Sequence, residues 1–248
     1  MLTAMELMGY DALNLGGPEF YFGKEFLEHT RSHVSFSYIA SNLLYGGSRI
    51  PWTREYIIKE VGNIKVAILG VINPDGIAQL TNQEQVKGLQ VIPPETALSR
   101  LLPEVRGKAD LVILLSRFDA KETIALVKAT KGIDVAISSG SDDVFYTEPL
   151  ESAVILQTGS LGKTLGLLKI TLNEKQKISV GETRYLPLFS TVPDNEAIAR
   201  LVEKHKQAQA TKSTQRQKNL MEGLQLSPEE FIERYRKEQT EKSKGEAR

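Results

Sequence analysis

Four places in the sequence hold residue types that could do chemistry. His29 and His33 stand four apart, the spacing that puts two imidazoles on one helix face and could hold a transition metal. They sit among Glu28, Thr30, Arg31 and Ser32, so they read as the solvated end of a helix rather than a metal site. Gly162-Lys163-Thr164 has the tail of a phosphate-binding loop. The first glycine of that loop would fall on Gln157, and no helix-forming run follows, so the loop is excluded. Trp52, the only tryptophan, could stack on a ring-shaped ligand, but beside Pro51 it reads as a packed loop anchor. Gly16-Gly17-Pro18 ends the short apolar run from Ala12 to Leu15. Two glycines allow unusual backbone angles and proline cannot donate to a ladder, so a strand must stop there. Loops at the carboxyl ends of strands are where layered α/β proteins build their sites.

The elements that would position these residues can be read in order. Met5, Leu7 and Met8 are spaced as the last turns of a helix that Gly9 ends. Gly23 to Thr30 reads as a helix and Phe36 to Ala40 as a strand. Tyr56-Ile57-Ile58 and Lys65 to Val71 flank Gly62-Asn63, which is a hairpin signal. Asn73-Pro74-Asp75-Gly76 reads as a turn, and residues 77–92 as a surface excursion. Pro93 to Leu102 has Ala97, Leu98, Leu101 and Leu102 on one helix face. Ala109 to Ser116 is a buried strand. Ala120 to Thr130 is an amphipathic helix with Ile124, Val127 and Lys128 in its spacing. Gly132 to Asp142 is a strand with its end loop. Val154 to Gly166 is a strand, a loop and the start of another strand. Leu167 to Leu172 and Lys177 to Tyr185 are strands joined at Asn173-Glu174. Strands alternating with helices predict an α/β fold.

Composition narrows the function class. The 248 residues suffice for one large domain or a domain with an appendage, and 41% hydrophobic with 25% charged residues is ordinary for a globular protein. Lys and Arg number 31 and Asp and Glu number 31, so no global charge draws the chain to nucleic acid. The absence of cysteine excludes disulfides, thiolate-bound zinc and haem attachment within the chain. No apolar run is long enough to span a bilayer. The first eight residues carry no basic region and are too short for a signal peptide.

The stretch from Gly9 to Gly23 resembles the 5'-nucleotidase branch of the calcineurin-like metallophosphoesterases, which reads G-Y-D-A-x-x-x-G-N-H-E-F-D-x-G. Gly9, Tyr10, Asp11, Ala12, Gly16, Glu19, Phe20 and Gly23 match. The family's metal-bridging Asn falls on Gly17, its catalytic His on Pro18, and the Asp after Phe20 on Tyr21. Ser41-Asn42-Leu43 is similar to the family's L-S-A-N-L. Glu60, Gly62, Lys65, Val66, Ala67 and Gly70 match its strand pattern. Ala109 to Arg117 is similar to A-D-x-V-V-x-L-S-H, with Arg117 in place of the ligand His. Gly132 to Asp142 is similar to G-I-D-x-I-I-G-G-H-S-H, with Gly140 and Asp142 in place of the two His. Residues 154–166 are similar to the family's V-Q-A-G-x-Y-G-x-x-L-G.

The resemblance runs from about Met5 to Leu188. It implies a two-sheet sandwich flanked by helices over residues 1–190, with a helical C-terminal arm over 191–248. Family members would use two divalent metals, and the resemblance implies a periplasmic or other extracytoplasmic location. The family's D-x-H and G-D strands, which precede the first helix, have no counterpart in this sequence. The expectation is a shortened gene model or fragment, or a domain that has lost one edge of its sheet and left it unpaired. With the ligand positions changed, no catalytic or metal residue is assigned and no cofactor is expected. Three readings of the old site stand side by side. Arg117 closes it by pairing with Asp142 or Glu19. Alternatively, Arg117 and the amides of Gly16 and Gly17 bind a phosphate-like anion. The third is a carboxylate-only Mg²⁺ or Ca²⁺ site of Asp142, Asp143, Asp119 and Glu19.

In the arm, Ile198, Leu201, Val202 and His205 share a helix face after Pro193-Asp194, and residues 206–219 read as a solvated continuation or linker. Ser227-Pro228-Glu229-Glu230 is a capping box opening a further helix. The arm resembles that of relatives joined to a multihaem cytochrome module. It would dock on its own domain, on another copy, or on an electron-transfer partner. Two functions compete. One is a non-catalytic binding or scaffolding module of this family. The other is a metal-dependent phosphoesterase acting on nucleotide phosphate esters, with its missing ligands supplied upstream and by a partner.

Overall fold

The structure, a computed structural model, describes residues 1–78, 83–139, 145–150, 153–159, 162–172 and 178–224. The chain divides into two compact units, Met1–Pro193 and Asp194–Arg248. The first unit opens with α1 (Leu2–Leu7), β1 (Ala12–Asn14), a 3₁₀ turn (Gly17–Phe22), α2 (Lys24–Arg31) and β2 (Ser37–Ile39). Next come β3 (Leu43–Tyr45), β4 (Ser48–Arg49), β5 (Tyr56–Val61), β6 (Ile64–Ile72), α3 (Asp75–Ala78), a 3₁₀ turn (Gln83–Val86) and β7 (Leu89–Val91). Then follow α4 (Pro94–Arg106), β8 (Leu111–Arg117), α5 (Ala120–Ala129), β9 (Val135–Ser138), β10 (Phe145–Pro149), β11 (Val154–Thr158), β12 (Thr164–Leu172) and β13 (Ile178–Pro187). The second unit contains α6 (Glu196–Leu224).

The main sheet has six strands in the order β10-β11-β9-β8-β6-β5, with parallel pairing from β11 through β6. Its middle strands are apolar on both faces, as parallel strands covered on both sides must be. On one face Ala67, Leu69, Val112, Leu114, Ala136 and Ile155 pack under Leu98, Leu101, Leu102 and Val105 of α4 and Leu126 and Val127 of α5. On the other face Leu111, Val135 and Val154 meet Leu168 and Ile170 of the β12–β13 hairpin. The parallel pair β1–β2 forms a second piece of this outer layer. Around it a further core gathers Met5, Leu15, Phe20, Tyr38, Leu43 and Ile50. The fold is therefore mixed α/β with several sheets flanked by helices.

Sequence chemistry explains the boundaries. Gly62, at φ +61°, supplies the left-handed residue of the two-residue turn that closes Val61 against Ile64. Asp119 caps α5, accepting from Glu122 N–H at 2.7 Å, while Glu122 accepts from Asp119 N–H at 3.2 Å.

Three expectations need correction. α4 does not stop before Pro103 but runs to Arg106, because Val105 is fully buried and holds the last turn despite the missing N–H. The face of α5 that is buried is Thr123, Leu126 and Val127, with Lys128 exposed. Residues 77–92 are not merely a surface excursion. Ile77 and Val86 are core residues, and β7 is an edge strand on β3. Of the two readings of residues 206–219, the helix continuation is the one seen: α6 runs as far as Leu224. Asn195 caps that helix, accepting from Ala197 N–H at 3.0 Å. The capping box at Ser227 lies outside the described residues. Among the described residues no helix is long and apolar enough to cross a membrane.

Candidate functional site

The carboxyl ends of β6, β8 and β9 converge with the loop after β1 around a shallow depression of about 360 Å³. Gly17, Pro18, Ile72, Asn73, Arg117 and Ser139 line it. Arg117 is the last residue of β8, and its Nη1 donates to Glu19 Oε1 at 3.2 Å. Glu19 Oε2 accepts the Gly16 N–H at 2.8 Å, so one carboxylate both caps the 3₁₀ turn and faces the guanidinium. The side chains of Arg117 and Glu19 are 29% and 22% exposed, which leaves the pair partly shielded from water.

Gly16 is needed for a different reason from the one its sequence suggests. Its backbone is extended at φ −143° and ψ −171°, which any residue can adopt. The constraint is space: a Cβ on Gly16 would lie 2.4 Å from Arg117 Nε and 2.6 Å from its Cδ. We expect Gly16→Ala to push the guanidinium off Glu19 and lower stability by about 1–2 kcal/mol. Urea unfolding measures this, and the cost should shrink in an Arg117→Gln background, where there is no guanidinium to displace.

Beneath the depression lies a layer of buried polar residues that sequence reasoning did not single out. Asn14 Nδ2 donates to the carbonyls of Val71 and Leu115, both at 3.0 Å, and its carboxamide lies against Gly70. Ser116 Oγ and Thr123 Oγ1 are 2.8 Å apart. Ser138 Oγ lies 2.9 Å from Phe118 O and 3.1 Å from Gln157 Oε1. Short polar residues in apolar runs were the available signal. They tie the strand ends to one another and to α5.

The aspartates shared with the family pattern also have structural partners here. Asp110 Oδ2 accepts from Lys65 N–H at 2.8 Å. Asp134 Oδ2 accepts from Val112 N–H at 2.7 Å, and Asp134 pairs with Arg106. Both precede their strands, at the opposite end from the depression.

The remaining candidates fall as follows. Gly16, Gly17, Glu19 and Arg117 come together at the depression, while Asp142, with Gly140 and Asp143, lies outside the described residues. Asp119 is engaged as the cap of α5. His29 and His33 are exposed, with ring centroids 4.8 Å apart, and His33 Nδ1 lies 3.0 Å from His29 O. Trp52 packs edge-on to Tyr38, centroids 6.1 Å apart, within a core. Gly162-Lys163 leads directly into β12, not into a helix. The Lys108 ammonium and the Tyr56 hydroxyl hold Glu104 below the ordinary carboxylate range.

Among the described residues no group of three or more His, Cys, Asp and Glu could hold a metal ion. The residues at the depression do not fit a pair of divalent cations. They offer a fixed positive charge and a carboxylate already shared between a guanidinium and an amide.

No family model matches the chain. It is 28% identical over 148 residues to an uncharacterized metallophosphoesterase, YunD, of Bacillus subtilis strain 168, covering 58% of this chain and 31% of that protein. It is 26% identical over 228 residues to a 5'-nucleotidase of Bos taurus, covering 78% of this chain and 38% of that protein. The crystal structure of a 5'-nucleotidase precursor from Thermus thermophilus superposes with a TM-score of 0.70 at 20% identity, covering 83% of this chain and 45% of that one. The chain thus spans about a third of the length of the two curated relatives. Its homologues and structural neighbours are 5'-nucleotidases and calcineurin-like metallophosphoesterases, and its described residues keep their fold without a group arranged to hold metal.

Proposed function

We propose that this chain is a non-catalytic 5'-nucleotidase-like domain that acts by binding rather than by hydrolysis. The observation that carries the reading is the Arg117–Glu19 pair closed over Gly16. A two-metal phosphoesterase needs cations about 3.5–4 Å apart to clamp the attacking and leaving oxygens. A guanidinium in that position repels cations and cannot be deprotonated at neutral pH. The same guanidinium gives the depression a positive face. A phosphate-like anion is therefore the ligand class we assign to it, held by Arg117 and by amides of the loop after β1. Protein partners complete the proposal. α6, largely polar in sequence and mostly exposed over residues 196–212, is offered to a partner such as a multihaem cytochrome, in the extracytoplasmic location that the resemblance implies.

Metal content tests the reading first. The purified chain is loaded with excess Mn²⁺ and Zn²⁺, desalted, and subjected to elemental analysis and to assay against nucleoside monophosphates. We expect no retained metal and no phosphate release. Retention of about two equivalents with turnover would replace this reading by the metal-dependent phosphoesterase.

A further inference from the structure

α2 is packed on one side and carries a row of rings on the other. Phe20 and Leu27 are buried and anchor the helix, with the turn before it, in the core. On the outer side Tyr21 is 55% exposed, Phe22 66% and Phe26 45%. Their rings touch in series. Tyr21 meets Phe22 edge-on at 5.1 Å between centroids, and Phe22 lies 5.2 Å from Phe26. His29 and His33, both exposed, form a second ring pair at 4.8 Å. Phe26 and His29 stand three apart on the helix and so share its side. A contiguous run of exposed rings marks an interaction surface, where a single exposed ring does not.

The row is held in place and flanked by charge. Arg31 Nη1 donates to Val34 O at 3.0 Å and His33 N–H to Thr30 O at 3.0 Å, which keeps the turn after α2 in line with the helix. Glu25 flanks the phenyl end with its side chain 81% exposed. Lys24 Nζ lies 3.7 Å from that carboxylate and 4.6 Å from the centre of the Tyr45 ring.

The order of the rings names the partner. Phe22, Phe26, His29 and His33 are spaced four, three and four residues apart. This spacing reads the same in both directions about the midpoint between Phe26 and His29, with phenyl rings on one side and imidazoles on the other. We propose that the row is the interface of a symmetric dimer of this chain, in which the partner's α2 crosses antiparallel and the two-fold axis passes through that midpoint. Phe22 then meets the partner's His33, and Phe26 the partner's His29. Each contact sets the electron-rich face of a phenyl ring against the electron-poor edge or N–H of an imidazole. Glu25 comes beside the partner's Ser32 and His29, where its carboxylate accepts from an imidazole N–H. One surface thus satisfies both halves, as an isologous interface requires. The row offers far fewer than the roughly 20–30 residues per side of a standard interface, so the dimer is weak, with Kd on the order of 10–100 μM.

Sedimentation velocity of the full chain from about 1 μM to about 500 μM should show monomer converting to dimer. Two variants at exposed positions test the arrangement. Glu25→Lys sets an ammonium against the partner's imidazoles, and the double substitution His29→Glu with His33→Glu sets three carboxylates together. Each should raise Kd about tenfold or more. In an equimolar mixture of the two proteins, Lys–Glu attraction replaces one half of the interface and the original Glu25–His contact is kept in the other. The mixture should dimerise within about threefold of the unsubstituted chain, which also shows that both variants fold. Phe22→Ser should weaken the dimer about tenfold, whereas Leu186→Ser, exposed on the β12–β13 hairpin, should leave it unchanged. A chain that stays monomeric at about 500 μM overturns the proposal. So does a dimer that neither charge variant weakens, which would be formed by another surface. A mixture no tighter than its separate components overturns the antiparallel two-fold and the proposal with it.

Discussion

Asn42→Ala is expected to lower the unfolding free energy by about 2–6 kcal/mol, because it strips partners from two buried backbone groups of Ile72, at about 1–3 kcal/mol each, and from the part-buried Ile92 carbonyl. Asn42 has no exposure. Its Nδ2 donates to Ile72 O at 3.0 Å and to Ile92 O at 2.9 Å, and its Oδ1 accepts from Ile72 N–H at 3.0 Å. The reason lies in the main sheet. β5 pairs with β6 only as far as Tyr56 against Leu69. Beyond that point the edge of β6 is completed by Ser41 and Asn42: Ser41 N–H donates to Gly70 O at 2.9 Å, Gly70 N–H donates to Ser41 Oγ at 2.9 Å, and Ile72 turns to the Asn42 carboxamide. Asn42 is thus a carboxamide standing in for a strand. Denaturant unfolding checks the prediction, with Ser41→Ala as a milder companion at about 1–2 kcal/mol. A loss for Asn42→Ala below that of Ser41→Ala would show that β6 holds its end without the carboxamide. Ile72 and Asn73 line the depression, so the same substitution should also loosen the candidate site.

This residue illustrates what could be read from the sequence and what could not. Periodicity finds elements whose burial repeats with a fixed step. The hairpin across Gly62-Asn63, the apolar strand ending at Arg117 and the helix face of Leu98, Leu101 and Leu102 were all visible in that way. Tertiary exceptions were not. The helix read over Pro93 to Leu102 continues through Pro103 to Arg106, because the burial of Val105 outweighs one lost hydrogen bond. Ile77, Val86 and β7 looked like surface because their apolar residues are too sparse to show a period. Gly16 looked like a conformational requirement and is a steric one, set by the side chain of Arg117 far along the chain. The roles of Asn14, Ser41 and Asn42 were not legible, because a short amide or hydroxyl has the same chemistry in a loop as in a buried ladder. Arg117 and Glu19 became candidates through the family pattern. Nothing in their own spacing announces a pair.

Charge reversal at Arg117 separates a structural pair from a decorative one. Exposed ion pairs contribute about 0–1 kcal/mol, while breaking a buried pair costs about 3–5 kcal/mol. Arg117 and Glu19 are 29% and 22% exposed, between those limits, so Arg117→Gln should cost about 1–3 kcal/mol. Arg117→Glu should cost more, about 3–5 kcal/mol. It loses the attraction and sets two carboxylates together, where Coulomb repulsion at 4 Å is about 4 kcal/mol for an effective dielectric constant near 20. The double substitution Arg117→Glu with Glu19→Arg should recover part of this loss. Recovery will be incomplete, since Glu19 also accepts the Gly16 N–H and an arginine there cannot. Unfolding of the unsubstituted chain, Arg117→Glu, Glu19→Arg and the double substitution at low and high salt gives the coupling energy directly. A coupling near zero would mean that the guanidinium is held by packing alone and is free to meet an anion. A coupling of about 1–3 kcal/mol, weakened by salt, would mean that the carboxylate is its resident partner and that any anion binds in competition with Glu19.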